Sequence, residues 1–350
     1  MNSQQSVTAQ MRGQRMTAAV YRRFGSPEVV RIEETAIPAP GPGDVLIRAH
    51  ASTVSAADYR ARSRDIPGGL GLLAAFGIGL FRPSRRILGM DVAGVVEAVG
   101  ADVPTFAPGD RVIAMLGGRF GGHAEYVCVP QDGAITRAPA NMSFEQAVTL
   151  VFGGITARGF LNQVAIKPGD TVLVNGASGA VGTAIVQLAR ELGAHVTGVT
   201  SFINRELVTS LGADRVIDYT TDDFAAAGKE YDVIVDCVGN APFERVVAHI
   251  KPGGALLLVV ADLKGILRAS KQSRTSKKLV TAQVGEYRAE DLACIVSLAE
   301  SGRFQAVIDR TYELSEIVEA HRYVDTGHKK GSVVLRITTP THHRNEGQIS

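Results

Sequence analysis

The sequence contains no tryptophan and only three cysteines, Cys128, Cys237 and Cys294. An odd, widely spaced set argues against a disulfide framework or a structural zinc knuckle and points to a reducing, cytosolic setting. Net charge is lacking too: 37 basic and 35 acidic residues leave a formal charge of +2. That balance offers no footprint for nucleic acid or for an acidic partner. No apolar run is long enough to span a membrane. With 45% hydrophobic and 21% charged residues, the chain has ample material for a globular core. Its 350 residues suggest about two domains.

Residues 1–15 are polar and have no apolar centre, so they do not read as a secretory signal. They read as a disordered extension, or as a start placed too early, with the folded pattern beginning at Met16. The polar end, residues 338–350, reads as frayed.

The first half is β-rich. Short strands are expected near Thr17–Tyr21, Val29–Glu33, Val45–Ala51, Asp91–Val99 and Arg111–Met115, punctuated by Pro-Gly turns. Such spacing suggests a compact β-barrel-like domain. From about Ser143 to Gly302, strands and helices alternate, which predicts a parallel, doubly wound sheet. Expected members are the strand Thr171–Asn175, a helix from Ala180 to Leu192 with Val181, Ile185, Leu188 and Leu192 on one stripe, and strands at Ala194–Val199, Val216–Asp218, Val233–Cys237 and Ala255–Val260. A last β pattern at Gly331–Ile337 is expected to return to the first domain and make it discontinuous. The expected division is residues 16–142 with 304–350, and residues 143–303.

The strongest motif is Thr-Val-Leu-Val-Asn-Gly-Ala-Ser-Gly-Ala-Val-Gly at residues 171–182. A buried strand enters a glycine turn and then a helix, the context of a dinucleotide fingerprint. Gly179, lacking a Cβ, lets the backbone approach a pyrophosphate, and Gly182 lets the helix pack on the strand. Ala177 stands where the strict pattern has its first glycine. The helix start, at Ala180 and Val181, presents free N–H groups and a positive dipole end. A tight strand–helix turn with no ligand is the plainer alternative. After the next strand, Thr200, Ser201, Asn204 and Arg205 appear with no carboxylate before Glu206. Hydrogen-bond donors and a cation in that place suit the 2′-phosphate of NADPH, whereas an acidic residue would favour NADH. Arg205 as a solvated helix residue is the alternative.

From about Met16 to Ile337 the chain resembles the medium-chain dehydrogenase/reductase superfamily. The resemblance rests on "VLVNGASGAVGTAIVQLARELGAHVTGV", "LGADRVIDY", "DVIVDCVGN", "IKPGGALLLV" and "GHKKGSVVLRI", with "PAPGPGDVLIRAHASTVSAADYRAR" and "ILGMDVAGVVEAVGADVPTFAPGDRV" before them. It implies an α/β fold: a Rossmann doubly wound parallel sheet plus a discontinuous GroES-like β-barrel domain. The zinc-binding branch holds its metal through cysteine and histidine, aided by a glutamate. Here those places fall at Ser55, Met90, Asp91 and Phe152, which leaves no thiolate or imidazole ligand. The resemblance is therefore to the zinc-free, quinone oxidoreductase-like branch. That branch often has Asn-Pro ahead of its aspartate; here Ser55-Ala56 precedes Asp58.

The branch implies hydride transfer from NADPH to a quinone or an α,β-unsaturated carbonyl, and a homodimer. It places Thr156 near the nicotinamide and ribose, with Gly153 and Gly154 allowing close approach. It places Asn175 and Ser178 at the pyrophosphate or ribose, Val238 and Gly239 beside the cofactor, and Val259 within the stretch under the nicotinamide. Thr156 bonded to its own helix is the alternative for that residue. Tyr59 is the candidate polar group facing substrate, either bonding a carbonyl or merely lining the pocket. Asp58 reads as an orienting residue, and Arg60 and Arg62 as surface or structural. The apolar, glycine-rich stretch Ile66–Phe81, followed by arginines, reads as a hydrophobic lid or an oligomer contact beside the cleft for a bulky apolar substrate; a membrane-surface role is the weaker alternative. Two other functions remain open: a zinc-free alcohol or aldehyde dehydrogenase, and a nonenzymatic NADPH-binding sensor or structural protein.

Overall fold

The computed structural model describes residues 13–66, 69, 78–226 and 228–337. Most of the polar start, the polar end and most of the apolar stretch between Ile66 and Phe81 lie outside the described residues.

The described strands are β1 (Arg15–Tyr21), β2 (Val30–Ala36), β3 (Asp44–Val54), β4 (Asp91–Val99), β5 (Arg111–Met115), β6 (Tyr126–Pro130) and β7 (Ile135–Arg137), then β8 (Thr171–Asn175), β9 (His195–Thr200), β10 (Arg215–Asp218), β11 (Tyr231–Asp236), β12 (Ile250–Leu258), β13 (Leu279–Thr281), β14 (Ile308–Glu313) and β15 (Ser332–Arg336). β1 and β2 form a ribbon. A second sheet runs β14-β15-β3-β4-β5-β7, with β6 also on β3. The last strand thus returns to the sheet begun near the start, and Val333 of β15 lies antiparallel opposite Val54 of β3. β12 starts at Ile250, earlier than its apolar core suggests. Ile250 already pairs with Tyr231, and a register shift follows before Ala255 meets Val233.

The third sheet is parallel, in the order β10-β9-β8-β11-β12-β13. Its central strands are short apolar runs buried on both faces, such as Val172-Leu173-Val174 and Val233-Ile234-Val235, which is what helices on both sides of a sheet require. From β8 the chain winds outward through β9 to β10, then crosses back to β11 and winds the other way. The reversal leaves a crevice at the carboxyl ends of β8 and β11, where open α/β sheets bind ligands.

The helix after β8, Ala180–Glu191, buries Ile185, Val186, Leu188 and Ala189. The expected stripe does not extend to Leu192: that residue caps the helix and is 43% exposed. The helix Phe144–Leu161 starts at a capping box made by Ser143 and Gln146. It packs on β3, β4 and β15 and also on the helices Ala180–Glu191 and Ala289–Glu300, so it joins the two large sheets. Close approach explains its glycines: a Cβ on Gly153 would stand 2.5 Å from the Ala180 carbonyl oxygen. Among the described residues, no helix is long and apolar enough to cross a membrane.

Polar groups are also buried in the first sheet's domain. Arg62, fully buried, donates to the Gly25 carbonyl at 2.5 Å and to both Asp325 oxygens at 2.6 and 2.5 Å. It therefore clamps the helix Ala56–Ser63 to the helix Ile317–Asp325. Nearby, His321 and His123 stand edge to face with ring centroids 6.0 Å apart. Both are buried, and neither His321 ring nitrogen has a hydrogen-bond partner among the described residues. Burial, with His123 and Arg62 adding to it, holds the His321 pKa well below the ordinary 6.5. The folded ring is neutral, whereas an unfolded ring takes up a proton near pH 6.5. The stability this residue contributes is therefore full above pH 6.5 and is lost as the pH falls below it. Asp91 acts with the opposite sign: burial raises it to about 7, so its contribution is full at acid pH and fades as the pH rises towards 7. Comparing urea midpoints of wild type and His321→Leu, which share Asp91, isolates the histidine. The variant is expected to lose less stability between pH 7 and pH 5; parallel losses would show that His321 is not the source.

Candidate active site

The glycine turn lies at the mouth of the crevice. Gly176 leaves β8 with φ +79°, and the amides of Gly176 and Ala177 both donate to the Val199 carbonyl, at 3.1 and 3.0 Å. Gly182 is a packing glycine, since a Cβ there would stand 2.1 Å from the Gly176 oxygen. Gly179 differs. It has ordinary φ of −76°, and a Cβ would meet only the Gly176 oxygen, at 3.6 Å. The fold alone does not demand glycine at 179; an incoming ligand would. Behind it, Ala180 and Val181 open the helix with amides that have no intrahelical acceptor. Across it, the Gly331 amide donates to the Ser178 carbonyl at 2.7 Å, which brings the start of β15 against the turn.

Beside the turn, parallel pairing of β8 with β9 gathers hydroxyl and amide groups. Thr200 Oγ1 donates to Ser178 Oγ at 2.9 Å, and Asn204 Nδ2 reaches Ser178 Oγ at 3.4 Å and Ser201 Oγ at 3.3 Å. Arg205 opens the next helix with its guanidinium 5.4 Å from the Phe202 ring centroid. The Asp218 carboxylate is held by Thr220, whose bonds keep its pKa below the usual range. Tyr219, not singled out from the sequence, is 57% exposed, and its amide donates to the Thr200 carbonyl at 3.2 Å. The signal for it is an aromatic residue placed directly after β10, next to the end of β9.

Across the crevice, Asn175 is buried. Its amide donates to Asp236 Oδ1 at 2.8 Å and to Asn240 Oδ1 at 2.6 Å. Asp236 accepts the amides of Val238 and Gly239, both at 3.0 Å, and of Ala241 at 2.8 Å. Asn175 and Asp236 thus fix the loop that carries Val238 and Gly239. Gly239 has φ +94°, and Val238 is half exposed. The Val259 amide donates to the Asp236 carbonyl at 2.9 Å, which sets that residue beside the same loop. Asp236 was missed in the sequence; an acid closing an apolar strand is the only local sign.

Thr156 lies on Phe144–Leu161, buried, and its Oγ1 makes no well-aligned hydrogen bond. The Tyr287 phenol adjoins it, and burial raises that phenol's pKa. On the other side, a capping box between Ser55 and Asp58 starts the helix bearing Tyr59. Asp58 also accepts the Gly89 amide at 2.7 Å, an orienting role. The Tyr59 phenol donates to Asp65 Oδ2 at 2.5 Å. His50 stacks on Phe144 at 4.5 Å, and His123 bonds the Thr53 carbonyl at 2.9 Å.

Residues 41–140 match the family model of the alcohol dehydrogenase GroES-like domain, and residues 211–335 match that of the zinc-binding dehydrogenases. The chain is 32% identical to a chloroplastic quinone-oxidoreductase of Triphysaria versicolor, over 93% of this chain and 99% of that one. The chain belongs to the medium-chain dehydrogenase/reductase superfamily, on its quinone oxidoreductase-like branch. The chain is also 31% identical to the 2-methylene-furan-3-one reductase of Solanum lycopersicum, over 91% of this chain and 79% of that one. The solved quinone oxidoreductase of Coxiella burnetii superposes with a TM-score of 0.83 at 29% identity, covering 93% of this chain and all of that one. The superfamily's fold, a Rossmann-like parallel sheet with a GroES-like domain, is the fold described above.

A metal is part of the zinc branch of this superfamily, and the side chains here do not fit one. Ser55 Oγ is committed to Asp58 at 2.6 Å. Asp91 accepts the Thr53 amide at 2.7 Å, Thr53 Oγ1 at 2.6 Å and Ser52 Oγ at 3.2 Å. Met90 and Phe152 offer no hard or imidazole donor. No group of three His, Cys, Asp or Glu that could hold a metal ion occurs among the described residues.

Proposed function

We propose that this oxidoreductase is a zinc-independent, NADPH-dependent reductase of quinones or α,β-unsaturated carbonyls. The observation that carries the reading is the donor cluster of Ser178, Thr200, Ser201 and Asn204 with Arg205, set beside an open glycine turn. It offers a phosphate hydrogen bonds and a cation; β9 itself ends without a carboxylate, and the neighbouring Asp218, opposite Thr200, has its carboxylate engaged by Thr220. In this reading Arg205 and Tyr219 border the 2′-phosphate. The backbone from Ala177 to Val181 receives the pyrophosphate at the helix N-terminus. Val238, Gly239 and Val259 flank the rest of the cofactor, with Asn175 fixing the loop rather than meeting the ligand. When bound, the nicotinamide supplies a hydride, and the protein supplies orientation and dryness. The names of the similar proteins, a quinone-oxidoreductase and a furanone reductase, support acceptors with a conjugated carbonyl.

The test is steady-state cofactor oxidation against ortho-quinones, para-quinones and enones, with NADPH and NADH in parallel. The reading expects turnover with NADPH preferred. Activity confined to saturated alcohols or aldehydes would replace it with a zinc-free dehydrogenase, and NADPH binding without turnover would replace it with a sensor.

A further inference from the structure

We propose that Tyr287 is the hydrogen-bond donor presented to the acceptor's oxygen, with the Thr156 hydroxyl beside it. This rests on the reductase reading above. β13 is the outermost parallel strand on its side of the crevice, and residues 282–288 leave its carboxyl end before the helix Ala289–Glu300. That is the edge of the sheet where ligands bind. The loop is held against the helix that carries Thr156 and against the turn that follows it. Gln163 accepts from Thr281 Oγ1 at 3.0 Å and donates to the Gln283 carbonyl at 2.8 Å. Gly159 lets Val284 lie close, since a Cβ at 159 would stand 2.6 Å from the Val284 oxygen.

The ring of Tyr287 faces the loop after β5, where a Cβ on Gly117 would lie 3.9 Å from its Cδ2. The phenol thus stands where loops of the two large sheets meet, against the hydroxyl of Thr156. Neither the phenol nor the neighbouring Thr156 Oγ1 makes a well-aligned hydrogen bond among the described residues. Tyr59 contrasts with it, because its phenolic proton is committed to Asp65.

The chemistry needs such a donor. When hydride adds to the β-carbon of an enone, a C–H bond forms there, the acceptor gains two electrons and the cofactor is oxidised. The displaced π pair moves onto the carbonyl oxygen, and the Tyr287 O–H meets that charge. Water then delivers the proton to the α-carbon, so the phenol is never consumed. Burial keeps the phenol protonated, so it serves as a donor throughout the working pH range.

The experiment compares wild type, Tyr287→Phe, Tyr287→Gln and Tyr59→Phe in two assays on the full chain. The first is kcat/KM for an enone with NADPH. The second is calorimetric affinity of the NADP⁺-loaded protein for a hydroquinone. Y287F is expected to lose about tenfold to a hundredfold in kcat/KM and about tenfold in hydroquinone affinity. Its KM for NADPH and thermal midpoint should stay near wild type, and Y59F should lose less than Y287F in both assays. Y287Q keeps a donor and should retain more activity than Y287F; should Y287F fail to fold, Y287Q with a shifted hydroquinone affinity carries the test. Wild-type values for Y287F in both assays, or a larger loss in Y59F, would overturn the proposal. If wild type reduces no acceptor yet hydroquinone affinity still depends on Tyr287, the reductase reading fails and the ligand role of Tyr287 stands.

Discussion

Gly179→Val is expected to weaken NADPH binding by about a hundredfold while leaving the fold nearly intact, whereas Gly182→Val is expected to unfold the protein. The two glycines lie in one turn and fail for different reasons. A Cβ at Gly179 has room in the folded chain, with 3.6 Å to its nearest neighbour, and the backbone there has ordinary φ. Valine in place of glycine at a helix N-cap costs about 1 kcal/mol. It would, however, stand over the helix amides and keep a pyrophosphate at a distance. Losing charge-assisted bonds worth roughly 2–3 kcal/mol corresponds to about a hundredfold in affinity. At Gly182 the Cβ would sit 2.1 Å from a backbone oxygen and 2.9 Å from the Ala177 Cα, neither of which can rotate away. Overpacking of that kind costs about 3 kcal/mol or more. Calorimetric titration with NADPH and thermal melts separate the two. Unchanged affinity in Gly179→Val would remove the glycine turn from the cofactor site.

Ser201→Asp is expected to lower the NADPH-to-NADH ratio of kcat/KM by about a hundredfold. Ser201 directly follows β9 within the donor cluster, its Oγ 3.3 Å from Asn204 Nδ2. A carboxylate there would face a 2′-phosphate at close range, where like charges repel by about 1–4 kcal/mol depending on exposure. The same carboxylate can accept a hydrogen bond from the free 2′-hydroxyl of NADH, so the change acts on both sides of the ratio. Arg205→Ala should shift the ratio in the same direction by about tenfold, because one exposed cation is lost and the donors remain. A ratio unmoved by Ser201→Asp would place the adenosine ribose elsewhere.

How far the sequence led depends on where the information lies. β4, β5 and β8 coincide with the strands expected, because each is an apolar run bounded by turn residues. The sequence signals no strand at β7 or β13, which have three residues each, or at β14, whose sequence Ile-Asp-Arg-Thr-Tyr-Glu is mostly polar. These are strands because β5, β12 and β15 pair with them, and pairing is not a local property. The same division holds in the site. Ser178 and Thr200 were legible because a strand–turn–helix pattern announces them. Asp236 was not, since its role is to hold backbone amides after β11. Tyr287 was invisible because its neighbours, Thr156 and Gly117, are remote in sequence. Asp65 reaches Tyr59 only because Arg64 adopts a left-handed φ of 59°, a turn the local composition does not announce.

The most direct test of the central claim is NADPH-dependent reduction of the best quinone or enone, measured before and after exhaustive chelation of the purified protein. The account predicts the same turnover in both, because Ser55, Met90 and Phe152 provide no ligand set for a catalytic zinc. Turnover that disappears on chelation and returns with added zinc would contradict it.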